Sequence, residues 1–133
     1  MTPEIYWMTL TILMTALLWV PYALDRAAVR GIGPWLLDTG PEGRGPQSLW
    51  AQRAARAHLN AVENLAVFVP AVLALRTLDI STPATRAAVV VYFFARLAHF
   101  LVYTAGVPAA RTVAFMVGWG AQIVLLASIL TWI

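Results

Sequence analysis

The sequence predicts an all-α integral membrane protein, folded as a bundle of four transmembrane helices. First, 61% of its 133 residues are hydrophobic and only 11% are charged, whereas about 25% of residues in soluble domains are charged. Second, four apolar segments each approach the roughly 20 residues that cross a bilayer as a helix. We expect one domain, residues 1–133, with its helices at residues 5–24, 54–78, 83–103 and 112–133.

The first segment follows three residues that favour the start of a helix. Thr2 can cap a helix, Pro3 suits the first turn, and Glu4 favours the positive end of the helix dipole. A secretory signal would have a basic N-terminal region and a small-residue cleavage site, and the sequence has neither. We therefore expect this segment to be retained as a transmembrane helix.

Residues 25–52 form the one long polar connection, which glycine and proline interrupt repeatedly. The arginines of this connection and its flanks are Arg26, Arg30, Arg44, Arg53 and Arg56. Arg111 lies in the third connection, whereas the second has only Arg76 and Arg86. The positive-inside rule therefore predicts that the first and third connections are cytoplasmic and that both termini lie outside. The expected location is a bacterial inner membrane.

One face of the second segment is polar. At about 100° per residue, five polar side chains of this segment fall within an arc of about 100°. They are Arg53, Arg56, Asn60, Glu63 and Asn64. His58 lies off this face, and Glu63 is the one anion that we expect to be buried in the membrane. Because a charged residue at the centre of a membrane helix costs about 2.5 to 3.5 kcal/mol, such residues usually face a functional interior.

The third segment carries a matching polar face. Arg96, His99 and Tyr103 are spaced by three and four residues and so stack on one side of a helix. The second segment begins, and the third ends, at the predicted cytoplasmic surface, where Arg111 also lies. We therefore expect one polar cavity at this surface. Its candidate residues are Arg53, Arg56, Asn60, Glu63, Arg96, His99, Tyr103 and Arg111.

Several classes of function are disfavoured. The sequence has no cysteine, so a disulfide or a protein thiol nucleophile is excluded. Its basic residues are all arginines, dispersed among apolar segments, which disfavours a nucleic-acid surface. We expect no metal site, because His58 has no second ligand on its face and His99 lies among cations. No phosphate-binding loop, nucleophile elbow or dinucleotide fingerprint is present.

Two stretches resemble the MAPEG family, the membrane-associated proteins of eicosanoid and glutathione metabolism. RAHLNAVEN, preceded by Arg53, resembles the second helix of the family. ARLAHFLVYTAGVPAARTVAFMVGWG resembles the third helix, the third loop and the start of the fourth helix. With four helices of the expected lengths, the resemblance covers nearly the whole chain.

This resemblance implies a homotrimer that binds glutathione, its thiol co-substrate, in clefts between subunits near the cytoplasmic face. The residues that would hold the tripeptide match Arg56, Asn60, Glu63, Arg96, His99, Tyr103 and Arg111. Arginine forks suit the two carboxylates of glutathione, with Arg53, Arg56 and Arg96 as candidates, and Glu63 suits its ammonium group. Arg111 would be catalytic, because an adjacent cation favours the thiolate over the thiol.

Three positions depart from the prostaglandin E synthase branch of the family. Leu59, Thr112 and Phe115 stand where that branch has arginine, serine and tyrosine, and the sequence HLN is more similar to microsomal glutathione transferase. We therefore expect glutathione to be conjugated to a hydrophobic electrophile from the bilayer, or to reduce a lipid hydroperoxide.

Two alternatives remain open. The family also contains a non-catalytic member, so the chain could be a scaffold that presents lipid to a partner. A small four-helix proton-coupled antiporter is the other alternative, since such a transporter uses one carboxylate in the membrane. Against the antiporter, Glu63 shares its helix face with Arg53 and Arg56, which would keep it ionised and paired.

Overall fold

The computed structural model describes residues 1–37 and 47–131, and its regular secondary structure in these ranges is entirely α-helical. The helices are α1 (Pro3–Leu17), α2 (Val20–Arg30), α3 (Ile32–Leu37), α4 (Leu49–Thr77), α5 (Pro83–Ala105) and α6 (Pro108–Leu130). Four stretches are long and apolar enough to cross a membrane, namely Pro3–Arg30, Leu49–Thr77, Pro83–Ala105 and Pro108–Leu130. The predicted all-α architecture with four spans is confirmed.

The predicted polar connection at residues 25–52 is wrong at both edges. α2 continues to Arg30, α3 follows directly, and α4 already begins at Leu49. Likewise, α6 begins at Pro108 rather than at residue 112. The reason is that hydropathy detects the part of a helix that lies in the bilayer, whereas the helix itself continues until its backbone hydrogen bonds are interrupted. Residues 38–46, including Arg44, and residues 132–133 lie outside the described residues.

The first span consists of two helical pieces. α1 ends at Leu17, a turn covers Leu18 and Trp19, and α2 begins at Val20 with Pro21 in its first turn. Proline is tolerated there because the first N–H groups of a helix have no partner within it. α2 contacts the start of α4, where the Tyr22 hydroxyl lies 2.9 Å from Nδ1 of His58.

A short turn joins α5 and α6. Gly106 ends α5 with φ of 79°, in the left-handed region that favours glycine, and Pro108 starts α6. Because the turn is short, the two helices pack antiparallel. Tyr103, near the end of α5, and Arg111, in the first turn of α6, are thereby brought to the same end of the bundle.

The core between the spans is apolar and closely packed. Phe68 on α4 and Tyr92 on α5 stack with ring centroids 3.9 Å apart, and both side chains are fully buried. Nearer the other end, Ala54, Ala57 and Ala61 occupy the buried face of α4. Small residues allow neighbouring helices to approach closely. The inner face of α4 is therefore lined with alanine, and its polar residues lie beside this face.

A buried anion lies at the opposite end of the bundle from Tyr103 and Arg111. Glu4 on α1 is 3% exposed, and its Oε1 accepts hydrogen bonds from the hydroxyls of Ser81, at 2.9 Å, and Thr85, at 2.8 Å. The positive end of α5 adds a favourable field. Glu63, the anion that we expect to be buried in the membrane, lies within the span Leu49–Thr77 and is exposed on the surface of the single chain.

We expect Glu4→Ala to destabilise the protein by about 1 to 3 kcal/mol, because the hydrogen bonds that the buried Thr85 hydroxyl and the Ser81 hydroxyl donate to Glu4 are lost. Thermal unfolding in detergent, followed by circular dichroism, measures the change. Asp79→Asn is the matched control, since Asp79 belongs to an exposed ion pair with Arg76 and such pairs contribute about 0 to 1 kcal/mol. Equal melting temperatures for the two variants would show that Glu4 does not connect α1 to α5.

Candidate functional site

A polar cavity of about 380 Å³ lies where α4 begins, α5 ends and α6 begins. We call it the main cavity. Its lining residues come from all three of these helices, and they are Arg56, Asn60, His99, Tyr103, Arg111, Thr112 and Phe115. Pockets for small molecules are typically about 300 to 1,000 Å³ in volume. The main cavity therefore has room for a small peptide or a similar ligand.

Arg96 lies behind the wall of the main cavity. Its side chain is 2% exposed, and Nη2 donates a hydrogen bond of 2.7 Å to Oδ1 of Asn60. Gly118 on α6 provides the space, because a Cβ there would lie 3.4 Å from Cδ of Arg96. The bond holds the Asn60 oxygen towards Arg96, so the amide nitrogen of Asn60 is the group left for a ligand. Arg96, which the sequence predicts to line the cavity, instead lies behind it and positions Asn60, which does line it.

Aromatic side chains form one wall of the main cavity. His99 is 3% exposed and contacts Tyr103 edge-on, with centroids 5.6 Å apart, and Phe115 at 6.1 Å. Nδ1 of His99 is buried and has no hydrogen-bond partner among the described residues. Because an unpaired buried polar atom is costly, this nitrogen is a candidate contact for a ligand. The guanidinium carbon of Arg111 lies 4.8 Å from the Tyr103 ring centroid, a cation–π contact.

A second, smaller cavity of about 190 Å³ adjoins the main one, and we call it the side cavity. Its lining residues are Arg53, Tyr103, Gly106, Val107, Pro108 and Arg111. Tyr103 and Arg111 line both cavities, so the two cavities adjoin at this stacked pair. Of the two arginines predicted at the start of α4, Arg56 lines the main cavity and Arg53 lines the side cavity.

Glu63 lines neither cavity. It is exposed on α4, at the edge of the polar arc furthest from Asn64. Within one chain Glu63 is therefore not brought together with the residues of the main cavity, and its predicted contact with a ligand between subunits stays a prediction.

Two lining residues, Thr112 and Phe115, were not among the candidates. Spacing could have identified Phe115, because a residue four positions after Arg111 lies on the same helix face. It does not identify Thr112, which lies about 100° around the helix from Arg111. The interpretation of His58 as lying off the polar face is confirmed by its contact with Tyr22 on α2.

A family model described as the MAPEG family matches residues 5–131, nearly the whole chain. The chain belongs to the MAPEG family. No curated protein and no solved structure gives a significant match to it. With its four apolar spans, this MAPEG chain is an integral membrane protein, of a family concerned with glutathione or eicosanoid metabolism.

We expect Gly106→Ala to destabilise this MAPEG protein by about 1 to 2 kcal/mol, the cost of a left-handed conformation for a residue with a Cβ. The added Cβ would also lie 3.1 Å from Cζ of Arg53. Gly120→Ala is the matched control, because a Cβ at Gly120 meets nothing within 4 Å, and alanine favours a helix over glycine by about 0.5 to 1 kcal/mol. In thermal unfolding, we expect the melting temperature of Gly106→Ala to lie below that of the unsubstituted protein. The melting temperature of Gly120→Ala should equal or exceed it.

Proposed function

We propose that this protein binds glutathione in the main cavity and uses the glutathione thiolate against hydrophobic electrophiles or lipid hydroperoxides. The observation that carries the proposal is the uncompensated positive charge of the main cavity. Arg56 and Arg111 line this cavity. Among the described residues neither arginine forms an ion pair, since the ion pair found there joins Arg76 and Asp79. A ligand with two carboxylates supplies the negative charge that this site lacks.

The neutral polar groups of the main cavity suit the peptide part of glutathione. The amide of Asn60 is oriented by Arg96, and Nδ1 of His99 is unpaired among the described residues. The Tyr103 hydroxyl can both donate and accept. A tripeptide exposes N–H and C=O groups that need such partners when they leave water. The lining of the main cavity therefore complements glutathione in hydrogen bonding as well as in charge.

Arg111 is the residue that we assign to the thiolate. A free thiol with a pKa of about 8.5 is mostly protonated at neutral pH, and an adjacent cation increases its thiolate fraction. The face of the Tyr103 ring holds the Arg111 guanidinium at the edge of the main cavity. Arg111 is thus placed to neutralise a sulfur anion while Arg56 remains for a carboxylate.

Two reactions follow from a stabilised thiolate. In conjugation, the sulfur forms a bond to an electrophilic carbon, and the leaving group departs with the bonding electron pair. In peroxide reduction, the sulfur attacks the terminal peroxide oxygen and the lipid alkoxide takes a proton to become the alcohol. A second glutathione then converts the sulfenic acid to glutathione disulfide and water.

A homotrimer with glutathione between subunits is the assembly that we propose. Its support is the exposure of Arg56 and Glu63 on α4 within a membrane span. Charged side chains avoid lipid and face a protein interior or a water-filled cleft, so a neighbouring subunit over this face of α4 would cover them. Glu63 would then meet the ammonium group of glutathione at the subunit boundary.

The orientation that we propose places both cavities at the cytoplasmic face of a bacterial inner membrane. Arginines gather at this end of the spans, in α2, at the start of α4 and at the start of α6. The opposite end carries Arg76 and Arg86. The bias agrees with the positive-inside rule, and cytoplasmic glutathione would then reach the main cavity directly.

Glutathione binding is tested by isothermal titration calorimetry of the detergent-solubilised protein. We expect saturable binding that Arg56→Gln weakens about tenfold or more, because a hydrogen bond to a charged group contributes about 1.5 to 3 kcal/mol. Arg76→Gln, at the opposite end, should bind like the unsubstituted protein. Absence of saturable binding would contradict the proposal and favour the lipid scaffold, and proton-coupled cation flux in liposomes would favour the antiporter.

Catalysis by Arg111 is tested separately from binding. In Arg111→Ala we expect lower ultraviolet absorbance of the thiolate in the glutathione complex, about tenfold less thiolate for each unit by which the thiol pKa rises. Turnover of a hydrophobic chloroarene should fall in parallel. Arg86→Ala, an exposed arginine on α5 far from both cavities, is the control. Unchanged thiolate absorbance and turnover in Arg111→Ala would rule out this role.

A further inference from the structure

We propose that the side cavity is a binding site for a phosphate group, carried either by an anionic phospholipid headgroup or by free phosphate. Two arginines, Arg53 and Arg111, line a cavity of about 190 Å³. This volume is below the range of about 300 to 1,000 Å³ that is typical for drug-sized ligands. A compact anionic group, rather than a whole peptide, therefore fits the space.

Arg53 is held in place for such a contact. Its Nε donates a hydrogen bond of 2.9 Å to the Thr104 carbonyl oxygen. Its guanidinium packs against Gly106, where a Cβ would lie 3.1 Å from Cζ and 3.4 Å from Nη1. The terminal nitrogens of Arg53 have no hydrogen-bond partner among the described residues. A guanidinium that is fixed through Nε and free at its outer nitrogens is preorganised for two oxygens of one anion.

The start of α6 adds positive potential to the same cavity. Val107, the N-cap of α6, makes no hydrogen bond to the helix through its side chain, and Pro108 occupies the first turn. Both residues line the side cavity. The N–H of Val107 is bonded to the Val102 carbonyl oxygen, and proline has no N–H. The contribution of α6 is therefore its helix dipole, which favours an anion near the start of the helix.

The position of the side cavity relative to the spans indicates the source of the phosphate. The cavity lies at the turn between α5 and α6, where both spans end. Basic pockets between transmembrane helices at the cytoplasmic surface bind the headgroups of anionic lipids. The side cavity adjoins the main cavity at Tyr103 and Arg111, but Arg56, Asn60 and His99 line the main cavity alone. A phosphate group in the side cavity therefore leaves these three residues to glutathione.

The experiment uses the full-length protein in a neutral detergent at constant ionic strength. The probes are inorganic phosphate, dioctanoyl phosphatidylglycerol and dioctanoylglycerol, which has the same acyl chains without phosphate. Affinity is measured by titration, with the rise in melting temperature as a second readout. We expect a phosphate-bearing probe to bind and dioctanoylglycerol to have no effect. Arg53→Gln should weaken this binding about tenfold or more, and Arg76→Gln should leave it unchanged.

The outcomes separate the two sources from failure of the proposal. Binding of inorganic phosphate that depends on Arg53 identifies free phosphate, and binding of phosphatidylglycerol alone identifies the headgroup. The proposal is overturned if neither probe binds, if dioctanoylglycerol binds equally well, or if Arg53→Gln binds as tightly as the unsubstituted protein. Arg53→Lys keeps the positive charge but removes the guanidinium that can bind two oxygens of one anion. If Arg53→Gln fails to fold, this second variant should still show weakened phosphate binding.

Glutathione titration of the same samples reports on the main cavity independently. If Arg53→Gln loses phosphate binding and still binds glutathione, the result supports a separate site in the side cavity. If phosphate has no effect and Arg53→Gln weakens glutathione instead, Arg53 belongs to the glutathione site and the phosphate site is wrong.

Discussion

The turn at Gly106 sets the geometry on which both cavities depend. Its left-handed backbone ends α5, lets α6 begin at Pro108, and leaves the space into which the Arg53 guanidinium packs. The same turn places Arg111 over the face of Tyr103. Because one residue lacking a Cβ permits both the reversal of the chain and the approach of Arg53, the main and side cavities share a structural origin.

Charges in this apolar bundle are accommodated in two different ways. Glu4 is buried at one end, and the hydroxyls of Ser81 and Thr85 with the positive end of α5 compensate for its charge within the chain. At the other end, Arg56 and Arg111 line an open cavity without a carboxylate partner among the described residues. The first arrangement stabilises the fold, whereas the second leaves positive charge available to a ligand.

Much of the site was predictable because two helices carry their polar residues at helical spacing. Arg56, Asn60, His99, Tyr103 and Arg111 were expected together, and they line one cavity. Arg53 and Arg56 lie in the same arc of α4, yet they line different cavities, which adjoin at Tyr103 and Arg111. The burial of Glu4 was not predictable either, because burial depends on which neighbouring helix covers a side chain, and no pattern within one helix contains that information.

The number of spans, the polar faces of the second and third spans, and the family of the chain all follow from the sequence alone. These features are local, because a bilayer selects each segment by its own length and hydropathy. Helix packing, in contrast, positions Arg96 behind Asn60, brings Arg111 over the Tyr103 ring where the two cavities adjoin, and buries Glu4. Those outcomes depend on distances between side chains far apart in the chain, which only helix packing sets.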